Sequence, residues 1–196
     1  EIYNYPDSST PSIKRNIKIL SICEQINKTL NKEQKAVVLI RLYELLNVSR
    51  RYTPNRLNII SIVVEVFRML PEEVEVIEQF VRYNEAEKLN YHAVLFLRPG
   101  EEECDICHKE PEIYSETTII ILRLASVDLY FIKYLSNKQF YLNGIPIVQE
   151  YIYTFPKGSA FRTQYGHTFY YSDITSKFLS PEHSCKLSFI VSNVSY

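Results

Sequence analysis

A chain of 196 residues suits one or two domains, and 46% hydrophobic residues supply a real core, which excludes a chain disordered by composition. Its 22 Lys and Arg against 23 Asp and Glu leave a net charge of −1, so no global field draws the chain onto DNA or anionic lipid. With only 4 Gly, it holds neither G-x-G-x-x-G nor G-x-x-x-x-G-K-[ST], which excludes the two common phosphate-cradling loops.

The 26 aromatics are unevenly spread: seven lie in residues 1–90 and 19 in residues 91–196, together with all four glycines. Aromatics and turn glycines favour strands and hairpins, so composition divides the chain near residue 90. The chain opens at Glu1 rather than Met, as an excised fragment or processed product would. No signal-peptide pattern and no run of about 20 apolar residues is visible. Four cysteines (Cys23, Cys104, Cys107 and Cys185) are too few for a disulfide scaffold, which makes a reducing, cytoplasmic setting the expectation.

In chain order, Pro11-Ser12 opens a helix with Ile13, Ile17 and Leu20 at i, i+4 and i+7, continued by Ile22 and Ile26. Asn31 followed by Gln34 resembles a capping box and restarts a helix at Lys32, with Val37 to Leu46 as its apolar side. Thr53-Pro54 predicts a third helix carrying Ile59 to Leu70, and Pro71-Glu72-Glu73 a fourth burying Val74, Ile77, Phe80 and Val81. Four helices with short connections predict an antiparallel bundle over residues 1–90. Glu72, Glu73, Glu75 and Glu78 read as a solvated face rather than a metal site, Arg50, Arg51 and Arg56 as surface, and Cys23 as a buried thiol.

Residues 91–196 read as short strands: 92–97, 117–124, 128–135, 139–142, 145–148, 151–155, 160–163, 168–171 and 187–191. Asn143-Gly144 is the strongest hairpin signal, and the set predicts an antiparallel sandwich or barrel, so the fold class is α+β.

Cys104-Asp105-Ile106-Cys107-His108 has the letters of a haem-attachment motif. The absence of an export signal and the crowding by Glu101, Glu102 and Glu103 oppose haem. Zinc is the better metal reading: Cys104 and Cys107 make half a tetrahedral site that His108, His92, His183 or Cys185 would complete. The plain alternative is a polar loop with two free thiols. Nine Lys and Arg against eleven Asp and Glu in residues 91–196 give no basic groove for nucleic acid, so the tyrosines read as half-buried strand residues.

Lys18-Ile19-Leu20, Cys23, Ile26-Asn27, Gln34-Lys35, Leu39, Glu44 and the Glu78–Val81 segment resemble the tellurite-resistance TerB-like helical domains. That family often carries acidic residues in a helix loop as a metal site. The corresponding loop here, Asn47-Val48-Ser49-Arg50-Arg51, lacks the acids, so that function does not carry over. Ser136 to Gly144 resembles the core of a forkhead-associated (FHA) domain, where Ser-x-Asn-Gly-Thr-Phe-Val-Asn-Gly is typical. The resemblance implies a β-sandwich whose loops bind phosphothreonine peptides, with Asn137 and Ser136 as the ligand-binding residues. The chain departs from the family in having no Gly-Arg and in placing its S-x-x-H, Ser180 to His183, after the Asn-Gly hairpin. An ungapped match also sets Lys138 at the family's Asn.

Taken in order, the two units and the closing Ser192-Asn193-Val194-Ser195-Tyr196 resemble the N-terminal region of large Bacteroidetes ABC-transporter-like ATP-binding proteins. This implies a TerB-like helical domain at 1–90 and an FHA-like sandwich at 91–196, with the ATPase domain, its Walker loop and its ATP following. The expected function is a non-catalytic accessory or regulatory fragment, without a cofactor of its own. Its partners would be the rest of the same polypeptide, with no nucleic acid and no membrane insertion, and it would be cytoplasmic, tethered to the inner membrane by that polypeptide. The alternatives are a phosphopeptide-recognition module using Asn137, or a small zinc protein using Cys104, Cys107 and His108.

Overall fold

The computed structural model describes residues 10–49, 52–99, 104–107, 119–163 and 166–179. Four helices come first: α1 (Thr10–Thr29), α2 (Lys32–Ser49), α3 (Pro54–Phe67) and α4 (Pro71–Arg82). Each starts within two residues of its sequence signal. The capping box is reciprocal: Gln34 N–H donates to Asn31 Oδ1 at 2.8 Å, and Asn31 N–H donates to Gln34 Oε1 at 3.0 Å. Two orphan amides at the start of α2 are thereby satisfied.

Successive helices alternate in direction, yet the pairs that pack are not all antiparallel. Asn58 meets Asn16 near the N-terminal ends of α3 and α1, and Cys23 clusters with Val63 and Phe67, so α1 and α3 run the same way. Tyr43 meets Glu78 and Asn47 meets the Val81 carbonyl, so α2 and α4 are also parallel. Only α2 and α3, joined by the Arg56–Ser49 hydrogen bond, pack antiparallel among these pairs. α1 packs on α3 and α2 on α4, while α1, α2 and α3 meet in one cluster of Cys23, Val63 and Phe67 with Val38 and Leu42.

The β segment comprises β1 (Val94–Pro99), β2 (Cys104–Cys107), β3 (Ile119–Leu124), β4 (Leu129–Tyr134), β5 (Phe140–Leu142), β6 (Ile145–Pro146), β7 (Ile152–Thr154), β8 (Ala160–Thr163) and β9 (Thr168–Tyr170), followed by α5 (Tyr171–Phe178). These strands make two antiparallel sheets, ordered β2-β1-β3-β4-β7 and β6-β5-β8-β9. The fold is therefore α+β. Two elements differ from the sequence expectation. Residues 104–107, read as loop, are a strand, because they pair with β1 from Phe96↔Cys107 to Pro99↔Cys104. Residues 171–178 are helical, with the Asp173 carboxylate accepting the Tyr170 N–H at 3.0 Å. The expected strand at 187–191 lies outside the described residues.

Alternation along the strands sorts the core into two layers. Val94, Phe96, Ile120, Leu122, Leu124, Phe131 and Ile152 join Leu39, Ile40, Tyr43, Ile77, Phe80 and Val81 of the helices in one cluster. Their neighbours Leu95, Leu97, Ile119, Ile121, Tyr130, Ile132 and Tyr134 join Phe140, Phe161, Phe169 and Ile174 in the other. The first sheet is thus buried on both faces, by helices on one side and by the second sheet and α5 on the other. Tyr130 lies edge-on to Tyr171 and Phe178 of α5, at centroid distances of 5.3 and 5.6 Å.

The Asn143-Gly144 turn has both residues at positive φ, 52° and 82°, the geometry that lets a two-residue hairpin follow the strand twist. Asn143 also ties the hairpin to β8: Ala160 N–H donates to its Oδ1 at 2.9 Å, and its Nδ2 donates to Ser159 Oγ at 3.1 Å. Among the described residues, no helix is long and apolar enough to cross a membrane.

Candidate functional site

The sequence points to two places. The first is the connection between β4 and β5, where the chain passes from one sheet to the other. Ser136 is half-buried there and Asn137 exposed. Ser136 Oγ accepts the Lys138 N–H at 3.1 Å, a local turn bond that shapes the loop. The β6–β7 connection runs beside it: Gln149 donates to the Leu135 carbonyl at 2.8 Å, and Glu150 N–H donates to the Tyr134 carbonyl at 2.7 Å. Asn137 and Ser136 therefore precede β5, while the Asn143-Gly144 hairpin follows its other end. The Thr163 hydroxyl at the end of β8 is buried and has no hydrogen-bond partner among the described residues.

The second place is Cys104 and Cys107. Both lie in β2, at its two ends, and an extended strand carries positions three apart to about 10 Å. His108, and the His183 and Cys185 considered with it, lie outside the described residues. Among the described residues, no group of three or more His, Cys, Asp and Glu gathers.

Sequence reasoning missed a buried polar arrangement that lies between the helices and the first sheet. Lys133 of β4 is 4% exposed, on the helix-facing side. Its ammonium donates to the carbonyls of Phe80, Val81 and Tyr83 at 2.9, 3.0 and 2.9 Å. These are orphan acceptors at the C-terminal end of α4, where the helix dipole also favours a cation. Burial pushes the amine down to about 8, against an upward pull from the carboxylates of Glu150, Glu85 and Glu44. An ammonium has three protons, and all three are committed to backbone. The group fastens a helix end to a strand; it has no proton left to offer a substrate. The one legible signal was a lysine inside an apolar strand, Leu129-Tyr130-Phe131-Ile132-Lys133-Tyr134.

A second fastening lies on β7, an edge of the same sheet. Arg41 of α2 donates to the Ile152 carbonyl at 2.9 Å, and Glu44 accepts the Ile152 N–H at 3.2 Å. Arg41 and Glu44 also pair with each other at 2.5 Å. One helix face thus supplies the donor and the acceptor that the edge strand lacks.

The acid run of α4 has more to do than face solvent. Glu73 accepts from Ser126 N–H and Oγ at 3.0 and 2.7 Å, fixing the β3–β4 turn. Glu78 pairs with Arg82 at 2.6 Å and accepts from Tyr43 at 3.3 Å. The Arg82 guanidinium lies 4.6 Å from the Tyr52 ring centroid. Burial and the Glu78 carboxylate raise the Tyr43 phenol well above its usual range. Arg56 bonds Ser49, while Arg50 and Arg51 lie outside the described residues. Cys23 is buried, and burial raises its thiol.

Compared with known protein families and with curated proteins, the chain gives no match.

Proposed function

We propose that this chain is a non-catalytic accessory region, a scaffold through which an ABC-type ATPase in the same polypeptide is positioned or regulated. The observation that carries the reading is the fastening of the helices to the sheet by Lys133, Arg41 and Glu44. These ionisable groups spend their hydrogen bonds on backbone and on each other, which suits a rigid docking body better than chemistry. The resemblance of residues 12–196 to the region preceding such an ATPase names the partner. In this reading the helices are TerB-like and the two sheets are FHA-like, with Asn143-Gly144 as the family's structural hairpin. Two measurements test it. The coding sequence should continue into G-x-x-x-x-G-K-[ST] within roughly 50 residues. Deleting residues 10–179 from that longer polypeptide should then change its ATP turnover; an unchanged kcat and KM, or a gene that ends near Tyr196, refutes the reading.

The exposure of Asn137 at the sheet-to-sheet crossing favours a second reading, recognition of phosphothreonine peptides by that loop. A phosphopeptide library screened against wild type and Asn137→Ala decides it, since equal binding removes Asn137. The zinc reading is tested by elemental analysis, and less than about a tenth of an equivalent ends it.

A further inference from the structure

The first helix carries an apolar stripe that none of the described residues covers. α1 spends one face, Ile19, Cys23 and Ile26, on its contact with α3 and α2. Ile13, Ile17 and Leu20 repeat the same i, i+4, i+7 spacing about 120° around the helix. They are 56, 61 and 42% exposed. Lys14 and Lys18 are exposed along one side of this stripe and Lys28 lies further on, while Glu24 closes its C-terminal end.

The chain's net charge of −1 hides a segregation. α1 carries Lys14, Arg15, Lys18 and Lys28 against Glu24 alone, whereas α4 carries four glutamates against Arg82. The basic excess therefore sits on the helix that exposes aliphatic side chains. A second copy laid on this stripe would bring like charges together. A surface that is apolar beneath and anionic at its rim complements both features. At the boundary of an anionic bilayer, the aliphatic groups enter the acyl region while lysine stems reach back to the headgroup phosphates.

We propose that α1 rests on an anionic phospholipid bilayer through Ile13, Ile17 and Leu20, with Lys14 and Lys18 on the headgroups. Three aliphatic side chains and a few lysines give weak, reversible binding, compatible with a helix that stays docked on α3. This contact lies along the membrane surface and is independent of the ATPase reading, which the downstream coding sequence tests by itself.

The experiment is vesicle sedimentation of the whole chain. Wild type should bind equimolar phosphatidylglycerol–phosphatidylcholine vesicles, bind phosphatidylcholine alone far less, and lose binding as salt rises from about 50 to about 500 mM. Lys14→Gln with Lys18→Gln should weaken binding about 30-fold. Ile17→Ser with Leu20→Ser should weaken it about tenfold or more. All four positions are exposed, so both variants should keep the wild-type urea midpoint. Absence of binding to the anionic vesicles, equal binding to both vesicle types, or wild-type binding by either double variant overturns the proposal. So does a wild-type dimer in sedimentation equilibrium that the Ile17/Leu20 variant dissociates, because the stripe would then belong to a second copy.

Discussion

Replacing Lys133 with methionine isolates the strongest helix–sheet fastening, because methionine fills a similar volume and donates nothing. The wild-type ammonium meets the Phe80, Val81 and Tyr83 carbonyls at 2.9, 3.0 and 2.9 Å. Phe80 and Val81 are buried, so water is a poor substitute there. The Val81 carbonyl keeps the Asn47 amide at 3.2 Å, so two acceptors lose their partner, at about 1–3 kcal/mol each or up to about 6 kcal/mol together. Against this stands the cost of holding the charge inside. Burial lowers the amine from 10.5 to about 8, which corresponds to about 3 kcal/mol. The balance at pH 7 is a net loss of up to about 3 kcal/mol for Lys133→Met, read by urea unfolding, with faster amide exchange in the last turn of α4. The pH dependence has a fixed sign. Between pH 8 and 10.5 the unfolded chain holds more protons at this site than the folded one, so the wild type gains stability relative to the variant through that window. Tyr130, pushed up to about 12 chiefly by burial, acts in the opposite sense above pH 10, but equally in both proteins. A variant as stable as wild type at pH 7, or a difference that shrinks from pH 8 to 10.5, refutes the reasoning.

Asn143→Ala removes a residue suited to φ 52° and its bonds to Ala160 and Ser159, and should lower unfolding free energy by about 2 kcal/mol in urea titrations. Arg41→Ala with Glu44→Ala strips the cover from the Ile152 backbone, and should cost about 1–2 kcal/mol and raise concentration-dependent light scattering as the β7 edge opens. Thr163→Val removes, at constant shape, a buried hydroxyl without a partner among the described residues, so stability should stay equal or rise by up to about 1 kcal/mol; a clear loss in thermal unfolding would mean that the hydroxyl is used. Residues 1–90 and 91–196 expressed apart should each lack a cooperative unfolding transition by circular dichroism, and a sharp transition in either would contradict the shared core.

Where chemistry is local, the sequence was legible. The Asn31/Gln34 capping box, the prolines at the starts of α3 and α4, and the Asn143-Gly144 hairpin depend on residues within one turn of each other. Elements that depend on distant partners were not. β2 exists through its pairing with β1, and its four residues carry no strand pattern of their own. α5 spans eight residues and buries Ile174, too little periodicity to show. At the candidate sites, the loop position of Asn137 was readable, since turn residues punctuate an apolar run. The role of Lys133 was not, because its partners are backbone carbonyls about 50 residues away, and a carbonyl has no sequence signature. The TerB-like and FHA-like resemblances rest on motif letters, and letters cannot report which face of a helix packs on which sheet.

The strands themselves record what covers them. In an antiparallel sheet with one wet face, apolar and polar residues alternate; a sheet covered on both sides reads as an unbroken apolar run. β8 and β9 alternate, with Phe161 and Phe169 buried beside exposed Arg162, Thr168 and Tyr170, so the second sheet turns one face to solvent. Val94-Leu95-Phe96-Leu97 and Ile119-Ile120-Ile121-Leu122 do not alternate, and all eight residues are buried. Two sheets packed on each other alone would have no use for that second row. Seven of the sheet's buried residues face the helices, and at about 2 kcal/mol each their exposure would cost on the order of 14 kcal/mol, as much as a whole domain's stability. The composition shift near residue 90 therefore marks a change of period, from helical to alternating or continuous. The apolar runs beyond it state that the helices before it belong to the same core, and Lys133, Arg41 and Glu44 supply the polar bonds that fix their register on the sheet.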